Sequence, residues 1–109
     1  MKPMEITMAE DGDHKCRMTM AGAITLRTLP GIRQEMLHQL GCHQEMEVDL
    51  SGVAVVDTEG VRAILAIRRE AARENKALRF VSRNEAFLQL LDAMNRVFFG
   101  APLAAQEAV

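Results

Sequence analysis

A chain of 109 residues with 49% hydrophobic and 26% charged side chains has the size and balance of one globular domain, able to fold on its own core without staples. Its formal charge of −2, with no Trp, no Tyr and only four Phe, provides neither a basic footprint nor a base-stacking platform. Nucleic acid is therefore excluded as the expected partner.

Met4 to Met8 alternates apolar and polar side chains, which predicts a strand with one buried face. Asp11-Gly12-Asp13 is a turn signal. Cys16, Met18 and Met20 then alternate with Arg17 and Thr19, giving a second strand paired to the first as an antiparallel hairpin. The stretch from Gly22 to Pro30 changes register. Thr28 is placed to cap a helix with Pro30 in its first turn, and Ile32, Met36, Leu37 and Leu40 supply the buried stripe until Gly41 stops it. Met46, Val48 and Leu50 form a third strand, interrupted by Ser51-Gly52 before Val53 to Val56.

A second helix is expected from about Gly60 to Asn75. Val61, Ile64, Leu65, Arg68 and Ala72 lie on one side, and the Arg68 stem covers apolar surface. Asn75 suits the left-handed exit. Ala77 to Ser82 is a fourth strand. Asn84 is placed to cap a third helix carrying Phe87, Leu88, Leu90, Leu91 and Met94. Val97-Phe98-Phe99 is expected to add an edge strand, and the small-residue tail over about 100–109 is expected to fray. Strands joined through helices are usually parallel. The reading is one α/β domain over 1–109: a four- or five-stranded mixed sheet with helices mainly on one face.

No apolar run reaches the roughly 20 residues that span a bilayer, and the opening segment has no continuous apolar stretch before its acids, so no secretory signal is expected. Cys16 and Cys42 have no Cys-x-x-Cys partner and are expected as free thiols of a cytoplasmic protein.

The segment Val56-Asp57-Thr58-Glu59-Gly60 puts two carboxylates and a hydroxyl where an inner strand ends and a helix begins. Free amides and the positive end of the helix dipole meet there. Asp57 or Thr58 is expected to cap the helix, with Glu59 complementing the dipole. The same place favours a phosphate: a phosphorylated Thr58 would add about two negative charges, with Asp57 and Glu59 opposing them. Such a modification changes an exposed loop's electrostatics rather than the fold, as a binding switch requires.

Asp49-Leu50, the short apolar stretch that follows, and Asp57-Thr58-Glu59-Gly60 opening a helix resemble the central signature of STAS domains, the family of anti-sigma factor antagonists. Residues 20–25 (MAGAIT) resemble that family's Thr-Gly-Glu-Leu-Asp segment, and the likeness covers about residues 4–99. The resemblance implies a phosphorylatable binding module rather than an enzyme. Its partner would be a Ser/Thr kinase that is also an anti-sigma factor, and Thr58 would be the acceptor hydroxyl. It implies a partner face made of Thr25, Asp57, Thr58, Glu59 and Gly60 with Arg62, Ala66 and Arg69 on the following helix. Three positions depart from the family pattern. Thr25 stands where Asp is frequent, Glu59 where Ser, Thr or Ala is usual, and Arg62 where a small residue is frequent.

Arg62, Ala66, Arg69 and Arg73 share one helical face, flanked by Glu70 and Glu74, which are placed to pair with Arg73 or charges near Lys76. Such a strip is either a solvated surface or a charge-complementary contact. A second reading within the binding class is the STAS subunit of a lipid-transport ABC system, clasping its ATPase with a structural Thr58. A reading of another class is a small hydrolase or nucleotide-binding enzyme using Asp57 and Glu59, but it lacks a nucleophile and a Gly-rich loop. His38, Cys42 and His43 lack the ligand count and spacing of a metal site and are expected as surface residues at a helix end. No cofactor is called for.

Overall fold

The computed structural model describes residues 4–10, 12 and 14–100. Its elements run β1 (Glu5–Glu10), β2 (Lys15–Ile24), α1 (Leu29–Cys42), β3 (Glu45–Val56), α2 (Thr58–Arg73), β4 (Ala77–Val81) and α3 (Glu85–Phe99). Among the described residues the sheet has four strands in the order β1-β2-β3-β4, so the count settles at the lower of the two expected values. β1 and β2 form the antiparallel hairpin, and β2, β3 and β4 are parallel, as the helical connections require.

The period-2 pattern decides which face the helices cover. Cys16, Met18 and Met20 of β2, Met46, Val48 and Leu50 of β3, and Leu78 and Phe80 of β4 all point to one side. There they join Ile32, Met36 and Leu40 of α1, Val61, Ile64 and Leu65 of α2, and Leu91 of α3 in one core. The opposite face carries Thr7, Arg17, Thr19, Glu47, Asp49 and Arg79. Arg17 lies 2.9 Å from Asp49 and 3.6 Å from Glu47 across the β2–β3 pair. The eight Met of the chain serve the core where they are buried, filling irregular gaps between sheet and helices.

Four expectations are corrected. Ser51-Gly52 does not interrupt β3. Between the pairs Lys15–Glu45 and Ile24–Val56 the chain takes nine steps along β2 and eleven along β3, so β3 absorbs two extra residues as bulges. Gly52 sits in that irregular stretch because a Cβ there would lie 2.9 Å from the Ala21 Cβ and 3.1 Å from the Met20 carbonyl oxygen. Gly41 does not end α1, which runs on to Cys42. Val97-Phe98-Phe99 is the last turn of α3 rather than an edge strand; Gly100 in the left-handed conformation (φ 74°) ends that helix.

The fourth correction is His43. His38 and Cys42 are exposed as expected, but His43 is 7% exposed. It leaves α1 with extended backbone, and its ring turns inward, with Nδ1 3.0 Å from the Gln39 carbonyl oxygen and Nε2 3.1 Å from a Glu10 carboxylate oxygen. No group of three or more metal-ligating side chains occurs among the described residues.

Other local expectations hold. Asn84 accepts the Phe87 amide as the α3 cap, and Asn75 has φ 61° after α2. Thr28 is the residue before α1, but its hydroxyl turns away from the helix. α2 starts earlier than read, at Thr58, because Asp57 is the cap. Arg68 is buried on α2, and Asn95 is buried on α3. Leu37, read as part of the buried stripe of α1, is 46% exposed, and Leu90 on α3 is 44% exposed. No helix among the described residues is long and apolar enough to cross a membrane. The turn reading at Asp11 and Asp13 and the frayed-tail reading over 101–109 lie outside the described residues.

Two predictions follow from the strands. Hydrogen bonds from Ser51, then Arg17, hold the Asp49 carboxyl below its ordinary 3.8. A depressed carboxyl stabilises the fold above its unfolded value and loses that contribution as pH falls through the folded value. Asp49→Asn is therefore expected to lower stability at neutral pH, and its deficit in urea unfolding should shrink as pH drops below about 3.8. Both thiols are free; Cys16 is buried, its pKa raised by burial and then by Glu10 and Cys42, whereas Cys42 is exposed. A disulfide reagent should titrate Cys42 rapidly in the native protein and Cys16 only on unfolding.

Candidate functional site

The site forms where the parallel strands end. Ile24 closes β2, and Val56 closes β3 directly beside it. Asp57 then donates its amide to the Ile24 carbonyl at 3.0 Å before the chain turns into α2. Its carboxylate works in two directions. One oxygen accepts the Gly60 amide at 2.7 Å, capping α2; the other accepts the Leu26 amide at 3.0 Å from the loop after β2. The choice of cap is thus Asp57 and not Thr58.

Gly60 is required by the same closeness. A Cβ at this position would sit 2.5 Å from the Ile24 carbonyl oxygen and 2.8 Å from its carbon, and backbone atoms cannot yield as a side chain does. Gly60 is buried, so it shapes the site rather than offering a contact.

The partner loop is tied down independently. The Thr28 hydroxyl donates to the Ala23 carbonyl at 2.7 Å and accepts the Thr25 amide at 3.0 Å. The Thr25 carbonyl in turn accepts the amides of Thr28 and Leu29. Thr25 is half-buried in this turn, and Leu26, 64% exposed, projects from its tip. Thr58 and Glu59 are both exposed on the first turn of α2. Thr25, Asp57, Thr58, Glu59 and Gly60 therefore converge, as read from the sequence, and only Thr58 and Glu59 of the tetrad face solvent fully.

The α2 stripe is more enclosed. Arg62 is exposed, with its guanidinium carbon 5.6 Å from the centre of the Phe98 ring. Arg69 is half-buried, 4.9 Å from the Phe99 ring. The two rings meet edge-on at 6.3 Å. Ala66 between them is half-buried, and Arg73 pairs with Glu70 at 2.9 Å. The last turn of α3 thus lies along this strip and places two of its cations over aromatic rings, a cation–π arrangement. Leu26, Phe98 and Phe99 were not read from the sequence as site residues. No local pattern marks them, because each is brought in by a contact of long sequence separation.

Both Asp57 oxygens are committed to backbone amides, so this carboxylate is not set up as a general base, and Glu59 lies outward on the helix. Fold and site define a class: a small α/β domain that displays a hydroxyl and an acid at a helix start braced against a neighbouring loop.

Comparison with known proteins agrees. The family model described as Mlab, STAS domain, matches residues 7–96. The chain belongs to the STAS domain family. The anti-sigma factor antagonist SpoIIAA in its unphosphorylated form shares the fold with a TM-score of 0.65 at 11% identity, over 79% of this chain and 80% of that one. An anti-sigma factor antagonist from Mycobacterium paratuberculosis matches with a TM-score of 0.65 at 17% identity, over 88% and 83%. A crystal structure of Mglu matches with a TM-score of 0.63 at 15% identity over 72% of this chain, which spans only 19% of that structure. No curated protein sequence matches.

The division of labour within the tetrad is testable by stability. Gly60→Ala should destabilise by about 1–3 kcal/mol through overpacking against Ile24. Thr58→Ala should stay within about 0.5 kcal/mol, as an exposed residue away from packing does. Urea unfolding of both variants measures the difference.

Proposed function

We propose that the chain is a protein-binding module of the anti-sigma factor antagonist type, controlled by phosphorylation of Thr58. One observation carries this reading: Thr58 is exposed at a helix start whose fold is secured by its neighbours, Asp57 and Gly60. A hydroxyl with no part in holding the domain together is free to be modified without unfolding it. The partner is a Ser/Thr kinase that doubles as an anti-sigma factor. Its contact face comprises Thr25, Asp57, Thr58, Glu59 and Arg62, extended by Ala66 and Arg69. A phosphate on Thr58 gains from the α2 dipole but faces Glu59 on the same turn. Its main effect is therefore on what the surface attracts.

A second reading is favoured by the family match, whose description names Mlab rather than an antagonist, and by the acids that flank Thr58. In it the domain clasps the ATPase of an ABC transport system, and Thr58 is structural and unmodified. The hydrolase alternative is the weaker, since it needs Asp57 as a base and that carboxylate is occupied.

Incubation with the cognate Ser/Thr kinase followed by peptide mass spectrometry is expected to place phosphate on Thr58. Thr58→Asp should weaken partner binding at least about tenfold, with Thr58→Ala close to the parent. An unmodified Thr58, together with parental binding by Thr58→Asp, rejects the switch; co-purification with an ABC ATPase instead selects the second reading.

A further inference from the structure

A hollow of about 760 Å³ opens between the start of α1 and the ends of the first three strands. Its volume is within the range of small-molecule sites, roughly 300–1,000 Å³. It also lies at the carboxyl ends of parallel strands, where open α/β sheets generally take ligands. Its walls are apolar: Ile6 from β1, Ala23 from β2, Val55 from β3 and Ile32 from α1. Val55 is 46% exposed, so apolar surface here faces the opening rather than the core.

Two of the lining residues, Ala23 and Gly31, are small. Gly31, on α1, borders the hollow, and a Cβ built on it meets no atom within 4 Å. Its φ is not positive, so α1 does not require glycine at this position.

Polar groups are placed unevenly around these walls. At one end stand Arg27 and Thr25 on the loop after β2. Among the described residues Arg27 has no carboxylate paired with it. Thr28 also borders this end, but its hydroxyl is used within the loop. Glu35 lies nearly two turns into α1, about 9 Å of rise from Leu29 at 1.5 Å per residue, with its carboxylate accepting from Gln39. One cation at the mouth and one acid along the helix admit a single negative charge, held at the Arg27 end.

We propose that this hollow is a binding site for an amphipathic monoanion, a carboxylate with an aliphatic body. The head pairs with the Arg27 guanidinium and takes a hydrogen bond from Thr25, and the body lies against Ile6 and Val55. The assignment stands apart from the reading of Thr58 and does not rest on it. Its occupant would nevertheless touch the residues on either side of Leu26, whose amide Asp57 holds.

Decanoate is the probe, titrated into the full ¹⁵N-labelled chain beside decyltrimethylammonium, which has the same tail and the opposite head. The expected result is saturable shifts at Ile6, Ala23, Thr25 to Thr28 and Ile32, a rise in Tm with decanoate, and binding of the cation at least about tenfold weaker. Gly31→Leu adds bulk at the border of the hollow on a helix that accepts leucine; it should weaken decanoate binding at least about tenfold while the far-ultraviolet circular dichroism is kept. Arg27→Gln should cost decanoate about tenfold and erase its advantage over the cation. Absence of saturable shifts, equal binding of the two heads, or decanoate binding unchanged in Gly31→Leu overturns the proposal. None of these results bears on phosphorylation of Thr58.

Discussion

Asp57 holds two backbone amides through a single carboxylate: one oxygen takes the amide of Gly60 and the other the amide of Leu26, 31 residues before it. A capping carboxylate ordinarily satisfies one of the free amides at a helix start and contributes about 1 kcal/mol. Here it also fixes the loop after β2 relative to that start. The backbone reinforces the joint, since Asp57 donates to Ile24, and the missing side chain of Gly60 lets α2 settle against the same carbonyl. Two residues of the tetrad are thereby spent on architecture. The other two, Thr58 and Glu59, are exposed on the first turn of α2, where Glu59 complements the helix dipole.

This joint depends in turn on how β3 is delivered to it. β3 is longer than the stretch of β2 it accompanies by two residues, and bulges absorb the difference. Bulges increase local twist and re-aim the residues beyond them. Without them the register would bring a different residue to the end of Ile24, and a one-residue slip would exchange the two faces of the sheet. Gly52 lies in that stretch because the strands come too close there for a side chain. The Asp57 bridge and the Gly52 contact are therefore two parts of one fit between β2 and β3.

Much of this was legible in the residues and some was not, for physical reasons. Alternation in β2 and the first half of β3 is strong because one face is buried and the other is charged, so those strands and their inward residues were readable. Asn84 and Asn75 were readable because capping and the left-handed region are local properties. Ser51-Gly52 misled because a bulge and a break use the same residue types; only the partner strand distinguishes them. Val97-Phe98-Phe99 has strand-like composition, but its place at the end of an amphipathic helix is fixed by the packing of Phe98 and Phe99 against α2. His43 was invisible as a buried residue because Glu10, its partner, lies 33 positions earlier. The Asp-Thr-x-Gly tetrad marked a helix start; that Asp57 and Gly60 are held within it while Thr58 and Glu59 are exposed depends on contacts with the loop after β2, distant in sequence.

The cation–π contacts bear on what kind of surface the α2 strip is. A free arginine loses side-chain entropy when a partner fixes it, and an exposed pair contributes little for that reason. Arg62 and Arg69 are already stacked on Phe98 and Phe99, so part of that ordering has been met within the domain. The strip is thus better prepared to meet an acidic group than its mixed neighbourhood of arginines and glutamates suggests. A phosphate on Thr58 would bring negative charge to the same helix, within one turn of Arg62. It would compete with an acidic partner for that cation as well as repel it, so in the proposed switch modification and recognition would act through the same few side chains.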